Sequence, residues 1–118
     1  MSSTLGNWGE EKAATFLRRK GYRILKRNYS CRFGEIDIIA SKAEFLCFVE
    51  VKLRKNADFA EAKEFVTCTK QKRIVSSAQL WLSLHETDLQ PRFDVIEIYA
   101  PEGMTSRQIQ IKHLENAF

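Results

Sequence analysis

Two apolar stretches, Gly34-Glu35-Ile36-Asp37-Ile38-Ile39-Ala40 and Phe45-Leu46-Cys47-Phe48-Val49-Glu50-Val51-Lys52, are separated only by Ser41-Lys42-Ala43-Glu44. Runs rich in Ile, Val and Phe between polar breaks read as strands. A connection this short admits only an antiparallel hairpin, since a parallel pair needs a long crossover. Ionised groups are almost never buried without a partner or a metal, so Asp37, Glu50 and Lys52 inside these runs constrain the fold and its chemistry together. If Ala40 faces Phe45 across a four-residue turn, Asp37 lies opposite Phe48, and opposed residues project to one face. Alternation then puts Phe48, Glu50 and Lys52 on the face of Asp37. Diagonal neighbours on a sheet are about 7–8 Å apart or less, near enough for two carboxylates to hold one cation. A slip of one residue would undo this arrangement.

The segments around the hairpin predict a sheet with helices packed on it. Thr4 to Lys20 reads as a helix with a Ser or Thr cap and Gly21 as its stop. Ala13, Ala14, Phe16 and Leu17 share one face, and Glu10 lies a turn before that stripe, whereas Glu11 points away from it. Glu10 is therefore expected to face the protein body and Glu11 the solvent. Gly21 to Cys31 predicts a basic edge strand, whose lysines and arginines discourage edge-to-edge pairing. A second helix is expected from Ala60 or Phe65 to His85, with Ile74, Val75, Ala78, Trp81 and Leu82 as its apolar face and Lys70 and Gln71 projecting toward Lys52. Arg92 to Tyr99 alternates like a strand, and Ile109 to Leu114 predicts a further edge strand. The expected architecture is α/β, a central mixed sheet flanked by helices in the order α-β-β-β-α-β.

With 118 residues the chain is expected to form a single domain over 1–118. Its 44% hydrophobic and 29% charged residues place it with globular proteins rather than disordered ones. No run approaches the roughly 20 apolar residues of a membrane span, and the polar start lacks a signal-peptide core. Cys31, Cys47 and Cys68 form no Cys-x-x-Cys pair, which argues for reduced thiols and against a disulfide framework or a structural zinc site. A cytoplasmic protein is expected. A net charge of +4 leans mildly toward a polyanionic partner.

Phosphodiester cleavage needs a nucleophilic water, charge compensation on the phosphate and stabilisation of the leaving oxygen, and Mg²⁺ or Mn²⁺ held by carboxylates supplies the first two. Mg²⁺ takes hard oxygen ligands, often only one or two from the protein. Asp37 and Glu50 suit that role, with the Val51 carbonyl and Glu10 as further ligands and Lys52 placed to stabilise developing charge. The bland alternative is a structural ion pair between Glu50 and Lys52.

An acid in the first helix, then an aspartate, then Glu-x-Lys on the next strand resembles the PD-(D/E)XK nuclease superfamily, particularly Holliday-junction resolvases and RecB-type nucleases. Within it the chain is similar to the YraN-like family, an uncharacterised protein family. The resemblance rests on Gly6-x-x-Gly9-Glu10-x-x-Ala13, Gly21-Tyr22, Asn28, Gly34 to Ile39, Phe48-Val49-Glu50-Val51-Lys52-x-Arg54, Lys70-x-x-Arg73-Ile74, Arg92 to Val95 and Asn116-Ala117-Phe118, which span nearly the whole chain. It implies a restriction-endonuclease-like core with Glu10, Asp37, Glu50 and Lys52 at the catalytic positions, but no particular substrate. Phe59-Ala60 stands where the family usually has Phe-Gly. Gln71 is followed by Val75, not by the tyrosine of the RecB-type Gln-x-x-x-Tyr motif.

The resemblance makes a Mg²⁺- or Mn²⁺-dependent endonuclease acting on DNA, with branched or flapped structures among its targets, the expected function. Resolvase-type relatives work as homodimers because two strands must be cut, so a homodimer is the expected assembly. The competing class is a catalytically silent module that grips nucleic acid or a protein on the same fold, and RNA stays open as substrate. Arg54, Lys70, Gln71 and Arg73 are the candidate phosphate contacts and Glu35 a group at the rim. Basic residues at helix ends and edge strands are equally read as solvated guards. His85 and His113 lack a ligand constellation, and Asp94 reads as a structural partner of Arg92.

Overall fold

A computed structural model describes residues 4–55 and 66–118. The described order is α1 (Thr4–Arg19), β1 (Arg23–Cys31), β2 (Gly34–Lys42), β3 (Phe45–Arg54), α2 (Cys68–Leu84), β4 (Gln90–Tyr99) and β5 (Gln110–Leu114). A 3₁₀ turn at Gly103–Thr105 precedes β5. The expected α-β-β-β-α-β order is present, and the alternating tail adds an edge strand. Phe59-Ala60 and the expected start of the second helix lie outside the described residues.

The strands line up β1-β2-β3-β4-β5. β3 and β4 run parallel, bridged by the segment that contains α2, and every other neighbouring pair is antiparallel. This mixed sheet is covered on both faces. Along β3 the side chains alternate, Cys47 and Val49 packing with Ala13, Ala14 and Leu17 of α1, and Leu46 and Phe48 packing with Ile74, Ala78 and Trp81 of α2. A strand covered on both sides has to be apolar at consecutive positions, which is why Phe45 to Val49 reads as an unbroken hydrophobic run. Glu50 and Lys52 share the parity of Phe48 and so belong to the α2 face, and Asp37 lies beside Glu50 where α1 also approaches the sheet.

The hairpin is tighter than its sequence suggests. Lys42 pairs with Phe45 and Ala40 with Cys47, leaving Ala43 and Glu44 as the whole turn. Ser41 and Lys42, polar and thus expected in the turn, extend β2 instead. The register is displaced by two residues from the expected one, and Ile39, not Asp37, faces Phe48. An even displacement keeps every side chain on its face, so the grouping of Asp37 with Glu50 and Lys52 survives.

The tight turn costs stability, because Ala43 sits at φ 52, in the left-handed region that a Cβ disfavours. Ala43→Gly is expected to stabilise the fold by about 1 kcal/mol. Urea denaturation should show a higher midpoint at unchanged slope. A lower midpoint would mean that the turn does not carry this strain.

Candidate active site

Each acidic group reaches the site for a local reason. Asp37 accepts a hydrogen bond at Oδ2 from the backbone N–H of Val51, 2.8 Å away, which pins the β2 side chain across the hairpin. Glu50, on the central strand β3, is buried with 5% of its surface exposed. Glu10 is buried at 6%, while its neighbour Glu11 is exposed and paired with Arg27, as the helical periodicity predicts. Gly9, one residue before Glu10, lets α1 approach the sheet: a Cβ there would come within 2.9 Å of Leu53 Cδ1.

These side chains meet at two adjoining cavities. One, about 180 Å³, is lined by Gly6, Gly9, Glu10, Asp37, Glu50 and Lys70, among others. The second, about 480 Å³, shares Asp37, Glu50 and Lys70 and opens toward Gly34, Glu35 and Arg73. Lys52 Nζ is 3.7 Å from Glu50 Oε2, and Lys70 Nζ contacts the same oxygen. A larger cavity of about 760 Å³, lined by residues including Lys55, Tyr99 and Arg107, lies elsewhere and gathers no comparable set of acids.

The electrostatics single out the carboxylate pair. Burial pushes Asp37 up to about 8, and the adjacent Glu50 carboxylate, to which it is hydrogen-bonded, adds to the effect. Burial acts on Glu50 in the same sense but is outweighed by the hydrogen bond with Asp37 and by Lys70 and Lys52, which hold it below the usual carboxylate range. The two acids thus share one proton into neutral pH, as close carboxylates do. Burial also lowers Lys52, helped by the nearby Lys70, and Glu50 opposes it only in part. Glu50 holds Lys70 charged, its pull exceeding the cost of burial.

The donor set fits a hard divalent cation. It offers carboxylate oxygens, a form of ligation Mg²⁺ and Mn²⁺ favour, and a proton that a cation of higher charge would displace. Among the described residues no three His, Cys, Asp or Glu side chains form a closed ligand group. Asp37 and Glu50 would be the anchoring pair, with Glu10 and Val51 on the same cavity wall.

Other expected site residues are placed differently. Lys70, expected to project toward Lys52 and to contact phosphate, lies beside Lys52 and ion-pairs with Glu50 at the centre of the site. Gln71 turns away and donates from Nε2 to the Val66 carbonyl, 2.9 Å. Arg54 is engaged by Glu97, Nε to Oε2 at 3.2 Å, and Tyr99 also donates to Glu97. Glu97 has no exposed surface, and the strand pattern of β4 gave no hint that it meets Arg54 across β3. Arg73 and Glu35 line the wider cavity, Glu35 accepting from Ser30 Oγ at 2.9 Å.

On the α1 side of the sheet, away from these cavities, lies a second polar cluster. Arg92 donates to both Asp94 oxygens, Nε at 2.9 Å and Nη2 at 2.8 Å, and to the Tyr22 hydroxyl at 2.6 Å. His113 reaches Asp94 through Nε2 at 2.8 Å and meets Lys20 Nζ at Nδ1, 2.9 Å. A lysine ammonium only donates, so Nδ1 accepts and Nε2 carries the proton bonded to Asp94. The expected Arg92–Asp94 pair is present, and His113, read as a lone histidine, is part of it.

The family model described as uncharacterised protein family UPF0102 matches residues 9–98, most of the chain. The chain belongs to the UPF0102 family. The matched region contains Glu10, Asp37, Glu50, Lys52 and Lys70. A UPF0102 protein of Caldanaerobacter subterraneus subsp. tengcongensis is 44% identical over 117 residues, 98% of this chain and 94% of the relative. One from Chlorobium phaeobacteroides is 46% identical over 117 residues, covering 97% and 93% of the two chains. One from Clostridium perfringens is 41% identical over 118 residues, covering 99% and 95%. Similarity of this extent runs along almost the full length of this chain. The names of these relatives state no activity, so the chemistry rests on the geometry above.

Proposed function

We propose that this UPF0102 protein is a metal-dependent phosphodiester hydrolase of the PD-(D/E)XK type acting on nucleic acid, with DNA as the expected substrate. The observation that carries this reading is the half-buried Asp37 and buried Glu50 set together beside two lysines at an open cavity. A purely structural ion pair needs neither a second carboxylate nor an opening to solvent. A bound Mg²⁺ or Mn²⁺ would supply charge compensation on the phosphate and a water acidic enough to attack it.

The protein's own groups divide the remaining work. Asp37 and Glu50 would hold the cation, and the Val51 N–H fixes the Asp37 carboxylate in the orientation that faces Glu50. Lys52, partly buried and lowered by that burial, is suited to donate a hydrogen bond to a phosphate oxygen as negative charge builds. Lys70 offsets the charge of Glu50 before substrate arrives, which keeps two acids tolerable in one place. Arg73 at the wider cavity adds a positive wall for the neighbouring phosphate.

The test is cleavage of linear, flapped and four-way DNA by wild type, Glu50→Gln and Lys52→Ala, with Mg²⁺, Mn²⁺ or EDTA. Metal-dependent cutting by wild type, reduced at least about 100-fold in each variant, is the expected result. Binding of all substrates without any cutting would replace the enzyme with a silent binding module on the same fold.

A further inference from the structure

The β1–β2 connection is a two-residue turn, Arg32-Phe33, between the paired Cys31 and Gly34. Turns this tight usually take Gly, Asn or Asp. Here the second position is a phenylalanine with 39% of its surface exposed, belonging to neither core cluster. The Arg32 guanidinium lies over its ring, 4.8 Å from the centroid. An exposed aromatic capped by an arginine combines a flat apolar face with positive charge.

The turn is also held in place. Gly34 has φ 145, and a Cβ there would lie 3.5 Å from Arg73 Cβ and 3.8 Å from Ser77 Oγ, so the hairpin end sits directly against α2. Cys31 Sγ donates to Ser77 Oγ at 3.4 Å, a second tie to the same helix. From the turn, β2 leads through Gly34 and Glu35 to Asp37, all three lining the wider cavity with Arg73. Four residues of strand place Phe33 about 13 Å from Asp37 along the chain. The acid on this path, Glu35, is hydrogen-bonded to Ser30.

We infer that Phe33 is a stacking platform for an unpaired nucleobase beside the scissile phosphate, which makes nucleic acid with single-stranded or frayed bases next to the cut the preferred substrate class. This inference rests on the phosphodiesterase reading of the Asp37–Glu50 site and narrows its substrate. Stacking on an aromatic is tolerant of base identity, and a neighbouring arginine adds cation–π and phosphate attraction. A base within a paired duplex is not available to such a platform unless it is unstacked, so the preference follows from the ring's exposure in a turn on the strand that carries Asp37.

The test measures binding in EDTA, where nothing is cut. Wild type, Phe33→Ala and Phe33→Trp are titrated with 2-aminopurine-labelled single-stranded DNA, the matching single-stranded RNA and a blunt DNA duplex. Wild type is expected to quench the single-strand probe. Phe33→Ala should weaken single-strand binding about tenfold and leave duplex binding unchanged, and Phe33→Trp should retain both. A loss on either single strand supports the platform, and the strand on which it is larger names the sugar. Phe33→Ala binding single strands within about twofold of wild type overturns the inference, and does so alone if wild type still cuts. An equal loss on duplex overturns it as well. Failure of wild type to bind any of the three probes overturns both this inference and the phosphodiesterase reading.

Discussion

Asp37→Asn is expected to give a protein that melts higher than wild type near pH 8 and has lost its Mn²⁺ binding. The asparagine copies the protonated aspartic acid: its Oδ1 can accept from the Val51 N–H and its Nδ2 can donate toward Glu50. It removes only the ability to ionise. Asp37 ordinarily titrates near 3.8 and is raised to about 8 in the fold. An acid raised by folding holds its proton more tightly when native, so its contribution is fully present below the unfolded value and is lost as pH climbs toward the folded one. Wild type should therefore lose stability relative to the variant between about pH 4 and pH 8, by about 1.4 kcal/mol for each pH unit of that window. For a chain of this size that is a difference of several degrees in Tm. The gap should close below about pH 3, where Asp37 is protonated in both states, and Mn²⁺ should narrow it at high pH by binding only the wild-type fold. Parallel pH profiles for the two proteins, or unchanged calorimetric Mn²⁺ binding by the variant, would remove Asp37 from the site.

Asp94→Ala should instead destabilise the fold strongly although it removes none of the candidate site residues. Asp94 has no exposed surface and accepts from Arg92, His113 and the Asn116 N–H at 3.0 Å. Burial raises Asp94, but His113, Arg92 and Asn116 more than offset it and hold it below the ordinary carboxylate range. The direction is opposite to that of Asp37: a depressed acid stabilises above its unfolded value and gives that up as pH falls. Removing it leaves the largely buried Arg92 with only the exposed Glu115, 3.8 Å away, as counter-charge, a loss of about 3 kcal/mol. That is a large share of the stability of any small domain. Guanidinium or urea unfolding provides the measurement, and a loss under about 1 kcal/mol would show that the network is not a main support of the fold. Asp94→Asn should fall between wild type and alanine, since it keeps an acceptor but not the charge.

Much of this was legible in the sequence wherever the information is local. The periodicity of α1 separates Glu10 from Glu11, and the structure buries the first and exposes the second. The hairpin grouping was legible even though the turn length was misread, because faces depend on parity and the displacement was even. What could not be read depends on long-range packing. Lys70 reaches Glu50 only because α2 crosses between β3 and β4 and lays its first turn against the end of the sheet. Nothing in the composition of α2 chooses Lys70 over Gln71 for that role. Arg54 looked like a phosphate contact because its strand ends in basic residues, but the parallel pairing of β3 with β4 sets buried Glu97 within its reach. His113 looked solitary because its partners, Asp94 and Lys20, are distant in the chain and meet it only once β5 adds to β4.

The hydrogen bond from Val51 to Asp37 has a use beyond orientation. Its donor is a main-chain amide of the central strand, and its acceptor is the carboxyl that burial and Glu50 push up and that the proposed function makes a cation ligand. The ¹⁵N and ¹H resonances of that one amide therefore report the ionisation of the site from within, with ¹⁵N enrichment but no substrate or substitution needed. Proton release, normally inferred from bulk titrations, becomes readable at a single peak, and so does the proposed binding of a cation.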